Sequence, residues 1–214
     1  MRKGLQFLPE LFVNRYIEWK RSTYQDNKNW YNKISKAQNP TTMVISCCDS
    51  RVHVTSIFGA NTGEFFIHRN IANLIPPYNP NGDHHGTSAA IEYAVKSLKV
   101  SNIIVLGHSN CGGIHNGYKL CSNQYSAQNL IFVKKWLSIL KPAYNKLPTD
   151  KSENEKINLL EKESIKVSLD HLIEFPFVNE VISSHKLFVH GLWHDIGAGN
   201  LETLDPNTMK FARI

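Results

Sequence analysis

Thr42-Met43-Val44-Ile45-Ser46-Cys47-Cys48-Asp49-Ser50-Arg51 and Ile103-Ile104-Val105-Leu106-Gly107-His108-Ser109-Asn110-Cys111-Gly112-Gly113 decide how this chain folds. Each begins as a short apolar run and stops in a polar turn. Apolar runs without alternation belong to strands buried on both faces, the habit of parallel sheets covered by helices. The spacing between such runs leaves room for helical crossovers. The expectation is an α/β fold: a largely parallel central sheet flanked by helices.

Outward from these strands, the stretch from Pro9 to Lys36 has no interior Gly or Pro and sets Leu8, Phe12, Tyr16 and Trp19 on one helical face. It reads as an N-terminal helical arm of about residues 1–36 within a single 1–214 domain, free to pack on a partner. A strand is expected at Glu64–His68, followed by a loop marked by Pro76, Pro77, Pro80 and Gly82. Gly86-Thr87-Ser88 starts a helix through Ile91, Val95 and Leu98. Further helices are expected at Ala127–Tyr144 and at Glu155–Phe175, where Pro176 interrupts. A strand at Leu187–Trp193, a turn at Gly197–Asn200 and a last strand at Leu201–Leu204 complete the reading.

With 214 residues, 42% of them hydrophobic and 20% charged, the chain suits one sizeable globular domain and not a disordered segment. No run approaches the ~18 apolar residues of a membrane span. The basic start lacks the apolar core of a secretory signal, so a soluble cytoplasmic protein is expected. The net charge of +6 comes from scattered residues, mostly Lys. Without a basic stripe or a nucleic-acid motif, it reads as a solvated surface: no nucleic acid and no membrane partner. Four cysteines make no disulfide framework in a chain this long. They are buried hydrophobes, metal ligands or nucleophiles.

Their placement narrows the choice. One strand ends at Cys47 and Asp49, the other at His108 and Cys111. Ligands gather at the carboxyl ends of strands in open α/β sheets. Cys47, His108 and Cys111 make a Cys₂His set that suits zinc and leaves a fourth position for water or substrate.

Cys47-Cys48-Asp49-Ser50-Arg51-Val52 and Gly107 to Gly113 together resemble the paired signature of the β-class carbonic anhydrases. So do Phe66-Ile67-His68-Arg69-Asn70-Ile71-Ala72-Asn73 and Ser88-Ala89-Ala90-Ile91-Glu92-Tyr93-Ala94-Val95. The similarity runs from Gln38 to Ile114 and reaches weakly to Trp193-His194-Asp195-Ile196 and the Gly199 turn. It is closest to the plant-like branch. The resemblance implies reversible hydration of carbon dioxide to bicarbonate and a proton by a zinc-bound hydroxide. It implies one zinc per chain on Cys47, His108 and Cys111, with Asp49 and Arg51 as the catalytic pair beside it. Gln38, Phe66, Ile71 and Tyr93 would form the substrate pocket, joined by Gly112 if its turn cradles the anion. The family's habit also implies a homodimer or higher even homo-oligomer, in which the arm embraces a neighbour and Gln38 and Tyr93 face the adjacent subunit's metal. Cys48, where relatives carry a small residue, and the His84-His85 loop depart from the pattern.

Physical chemistry explains these residue types. Two thiolates cancel the charge of Zn²⁺, and Asp49 is useful only if held off the metal. A bidentate pair with Arg51 would hold it, as a Lys could not. Elsewhere the blander readings prevail. Cys48 and Cys121 are expected to be buried inert thiols, and His84 and His85 loop residues. His190 and His194 sit in a strand, where an i, i+4 metal pair does not form, and Ser109 lacks the pattern of a nucleophile elbow. Two classes compete with this reading: an enzyme on the related scaffold that hydrolyses carbon disulfide or carbonyl sulfide, and a structural zinc module with Asp49 as fourth ligand, against which Arg51 argues.

Overall fold

The computed structural model describes residues 3–82, 85–124 and 130–214. It forms two compact units, Met1–Asn39 and Pro40–Ile214. The first holds α1 (Glu10–Trp19), which runs on as a wider helical turn at Lys20–Tyr24, and α2 (Lys28–Ile34). The expected single helix is thus broken near Asn27, where φ −113° and ψ 20° leave the helical region. The rings of Trp19, Tyr24 and Tyr31 pack within 5.7 Å of one another. No described residue before Pro40 is buried, so the arm has no core of its own.

The second unit follows as β1 (Thr42–Cys47), α3 (Val54–Ile57), β2 (Phe65–Asn70), α4 (His85–Glu92) with a wider turn at Tyr93–Leu98, and β3 (Asn102–His108). Then come α5 (Gly112–Cys121), α6 (Ile131–Leu137), α7 (Lys141–Asn145), α8 (Glu153–Glu174), α9 (Pro176–Ser183), β4 (Phe188–Asp195), β5 (Asn200–Leu204) and β6 (Phe211–Arg213). The strands lie in the order β2-β1-β3-β4-β5-β6. The first four run parallel and the last two antiparallel. No described helix is long and apolar enough to cross a membrane.

Several boundaries differ from the sequence reading. Residues 112–121, taken only as the far side of a glycine turn, form α5, whose glycines lower intrinsic helix propensity and whose stability comes from packing. The helix expected at Ala127–Tyr144 is α6 and α7 joined by a tight turn at Ser138–Leu140, and its first residues lie outside those described. Pro176 ends α8 but also opens α9 at a position where its missing N–H costs nothing. β6 was not foreseen: its three residues are too few for a period to show.

From Met43 to Cys47, β1 is wholly buried, because α4, α8 and α9 cover one face of the sheet around Ile45, Ile103, Val105 and Ile165. The opposite face closes over Val44, Leu106 and Leu192. Residues of α5 to α8 gather in a third cluster with Cys47 and Cys111. Topology places the site. The chain leaves β1 for β2 on one side and returns to β3 on the other, so strand order reverses between β1 and β3. A crevice opens at the carboxyl ends of two strands that diverge in this way.

Gly117 on α5 faces α7's neighbourhood closely enough that a Cβ would collide with Leu140 Cδ1. The helix-propensity gain of Gly117→Ala, about 1 kcal/mol, is then outweighed by overpacking of about 1–3 kcal/mol. Urea unfolding should show a net loss for Gly117→Ala, and that loss should shrink when the same substitution is made in a Leu140→Ala background, where the clash is gone. A stabilised single variant would contradict this packing.

Candidate metal centre

Cys47 ends β1 and His108 ends β3, while Cys111 caps the start of α5 three residues later. All three are buried, and their ligand atoms lie within 4.8 Å of one another. The two sulfurs are 3.8 Å apart, far beyond a disulfide bond. A tetrahedral ion with Zn–S bonds of ~2.3 Å would set its sulfurs about 3.8 Å apart. His108 Nδ1 donates to the Ser109 carbonyl at 2.9 Å, which fixes the ring and leaves Nε2 with its lone pair facing the thiols. That Nε2 is buried and has no hydrogen-bond partner. An orphaned imidazole nitrogen beside two thiols at this spacing fits zinc.

Electrostatics agree. The hydrogen bond with Cys111 pulls the Cys47 thiol down to about 4 against the cost of burial, helped by His108 and the amides of Asp49 and Ala72. The same hydrogen bond, then burial and the Cys47 charge, push Cys111 up, although the Ile114 and Gly113 amides at the helix start oppose this. Burial depresses the His108 imidazole, but the Cys47 thiolate outweighs it and raises it on balance.

Asp49 is held away from this cluster. Arg51 Nε donates to Oδ1 at 2.9 Å and Nη2 to Oδ2 at 2.7 Å, while the Arg51 amide adds 3.0 Å to Oδ1. Oδ2 still lies 3.9 Å from His108 Nε2, so the carboxylate looks onto the metal position without occupying the nitrogen's place.

Arg69, to which the sequence reading gave no role, shapes this first loop. Its Nε donates to the Cys47 carbonyl at 2.9 Å and its Nη2 to those of Asp49 and Val52 at 2.8 and 2.9 Å. Beyond β2 the backbone turns through Ala72 and Asn73, both left-handed at φ 63° and 48°. This turn needs Gly113, because a Cβ there would lie 2.8 Å from Ile71 Cγ2 and 3.0 Å from Ala72 Cβ. Ser168 and His171 of α8 bond the backbone of Ile75. With Glu161 and Ser164 they form a buried polar stripe at helical spacing. That periodicity was visible in the sequence.

Of the expected pocket residues, Ile71 meets the start of α5 and its carbonyl accepts from Trp136 Nε1 at 2.7 Å. Phe66 and Tyr93 pack against each other as tilted rings, with centroids 5.8 Å apart and planes at 37°. Phe66 is in register with Met43, roughly 13 Å along the sheet from the level of Cys47. This chain therefore does not bring the pair to its own Cys47–His108–Cys111 cluster. Gln38 lies in the Met1–Asn39 unit, exposed after α2. Gly112 opens α5 with free space where a Cβ would be.

Cys48 was expected to be buried and is exposed: β1 ends at Cys47, and the next side chain turns to the open side. Cys121 is buried, and burial pushes its thiol up. His84 lies outside the described residues. His190 and His194 bond Asn102 and the Asn200 carbonyl instead of a shared ion. Ser109 links β3 to the turn after β4, donating to Asp195 and accepting from the Ile196 amide.

Residues 42–201 match the family model described as carbonic anhydrase. The chain is 36% identical over 196 residues to beta carbonic anhydrase 3 of Arabidopsis thaliana, covering 90% of this chain and 75% of that one. It superposes on the β-carbonic anhydrase CcaA with a TM-score of 0.88 at 26% identity, over 96% of this chain and 91% of the other. For a tetrameric β-carbonic anhydrase of the ascomycete Sordaria macrospora the TM-score is 0.77 at 31% identity, over 91% and 95%.

The Arg51 hydrogen bonds hold the Asp49 carboxyl well below the usual carboxylate range despite partial burial. A depressed native pKa contributes stability above the unfolded value of about 3.9 and loses it as pH falls through the native one. Carboxyl NMR should find Asp49 still ionised at pH values where exposed aspartates are protonated. Arg51→Ala should move its titration upward. Ordinary titration of Asp49 in the intact protein would contradict the pairing.

Proposed function

The chain belongs to the β-class carbonic anhydrase family, and on that premise we propose that Cys47, His108 and Cys111 hold its zinc while Asp49, fixed by Arg51, orients the attacking water. The reaction is the zinc-dependent, reversible hydration of carbon dioxide to bicarbonate and a proton. Zinc supplies a Lewis acid that lowers the pKa of water toward neutrality, as carbon dioxide hydration requires.

The chain's own groups do the rest. Cys47 and Cys111 bind as thiolates and Nε2 of His108 as a neutral imidazole. Asp49 accepts a hydrogen bond from the attacking water at Oδ2, the oxygen nearer the cluster, and turns its lone pair toward the substrate carbon. Arg51 keeps both carboxylate oxygens engaged. Ile71 gives the neutral gas an apolar wall, and the Gly112 turn leaves room for the bicarbonate oxygens. The observation that carries this reading is the orphaned His108 Nε2 facing two thiols 3.8 Å apart, with Asp49 tied to Arg51 beside them. A closed structural site would need Asp49 as its fourth ligand and would gain nothing from Arg51.

The functional unit is a homo-oligomer, and we assign it as a dimer or a higher even assembly in which Gln38, Phe66 and Tyr93 complete the neighbour's pocket. Two observations support that assignment: Phe66 and Tyr93 stand apart from this chain's own ligands, and the arm exposes Phe7, Leu8, Leu11 and Phe12. The Sordaria relatives, described as tetrameric, add to it. A cytoplasmic location is also proposed, since four free thiols suit a reducing compartment.

Zinc content and stopped-flow hydration, measured on the same samples, test the site. Cys47→Ser should lose most zinc and Cys48→Ser should keep it. Arg51→Ala should retain zinc, release Asp49 toward the metal and lose about two to three orders of magnitude in rate, the scale of a misplaced reactive group. Zinc loss in Arg51→Ala with an unaffected Asp49→Asn rate would favour another role for the pair.

Light scattering at micromolar concentration should give at least a dimer. A monomer with full activity would refute the shared pocket.

A further inference from the structure

We propose that Glu161 is a positioning residue of the metal centre, whose carboxylate clamps the Asn110–Cys111 peptide from the buried face of α8 and so aims the Cys111 thiolate at the metal. This rests on the zinc assignment above. Among the described residues Glu161 is the sole Asp, Glu, Lys or Arg that is buried, at 2% exposure. A buried carboxylate is costly unless its oxygens are well partnered. Here Oε1 accepts the Cys111 amide at 3.2 Å and Oε2 accepts Trp193 Nε1 at 3.2 Å. The Asn110 amide faces the same carboxylate.

The other end of that peptide is held too. Arg51 Nη2 donates to the Asn110 carbonyl at 3.0 Å. One peptide plane is therefore gripped at its oxygen by the first metal loop and at its nitrogen by α8. The grip fixes a plane that follows Asn110 in the left-handed region, at φ 54°, which asparagine tolerates better than most residues. Relaxing Asn110 would rotate this plane, and the Cys111 side chain leaves the backbone one bond later. Two clefts of about 480 and 510 Å³ flank the contact and share Asn110, Asn158 and Glu161 in their walls.

Glu161→Gln tests the clamp at nearly constant volume. Its amide group can accept from one of the two N–H donors and must present its own N–H₂ to the other. Zinc release to a chromophoric chelator should quicken by about 10–100-fold, the usual cost of losing an outer partner of a metal ligand. Trp193→Phe, which leaves the Cys111 bond intact, should release zinc near the wild-type rate. In cobalt-substituted protein the thiolate-to-metal absorption should shift in Glu161→Gln and not in Trp193→Phe. If Glu161→Gln lowers only the melting temperature of the metal-free protein, with zinc release unchanged, Glu161 is a packing residue and the proposal fails. Should that variant not fold, hydrogen exchange in the wild-type metal-free protein decides. The Cys111 amide should be protected like those of β3, and rapid exchange would overturn the clamp. A wild-type chain that retains no zinc would refute the metal assignment itself, and the exchange result would still judge the clamp.

Discussion

The fold is arranged around keeping two sulfurs and one imidazole nitrogen a few ångströms apart on buried side chains. Such a cluster is unfavourable on its own. Two buried thiols so close resist double ionisation, and a buried nitrogen without a partner forfeits its hydration. The fold tolerates this only because the ligands stand on rigid supports. Cys47 and His108 end two adjacent, fully covered strands, and the strand order diverges between them. Cys111 sits at the start of α5, where helical amides face its sulfur.

Rigid strands place the ligands, but hydrogen-bonded backbone aims them. Arg69 gathers three carbonyls of the Cys47 loop, and Arg51 and Glu161 hold the two ends of one peptide in the Cys111 loop. The left-handed turn at Ala72 and Asn73 brings an amide to Cys47 and leaves no room for a side chain at Gly113. Few of these groups touch the reacting atoms. They decide instead whether the reactive groups are held within the fraction of an ångström that catalysis needs.

The same geometry separates the residues near the cluster from those that stand apart from it. Asp49, Arg51 and Ile71 lie at the cluster. Phe66 and Tyr93 pair with each other farther along the sheet, and the arm is two short helices with no buried residue among those described. An apolar surface of this kind gains most by being covered.

The sequence by itself determined the chemistry and the strands that carry it. Apolar runs ending at Cys47 and His108, and the paired motifs around them, are local patterns: a strand buried on both faces must be apolar, and a soft metal must have thiolate and imidazole. It also settled Asp49 with Arg51, because residues two apart in one loop can meet without help from the rest of the chain. Tertiary structure alone decided α5, which propensity argues against and packing on Leu140 and Ile71 secures. It decided that Cys48 faces outward, since that depends on where β1 stops. It decided, too, the partners of Arg69 and Glu161, which lie 17 to 50 residues away along the chain. Contacts across such distances leave no period or motif behind; they exist only once the sheet has brought the loops together.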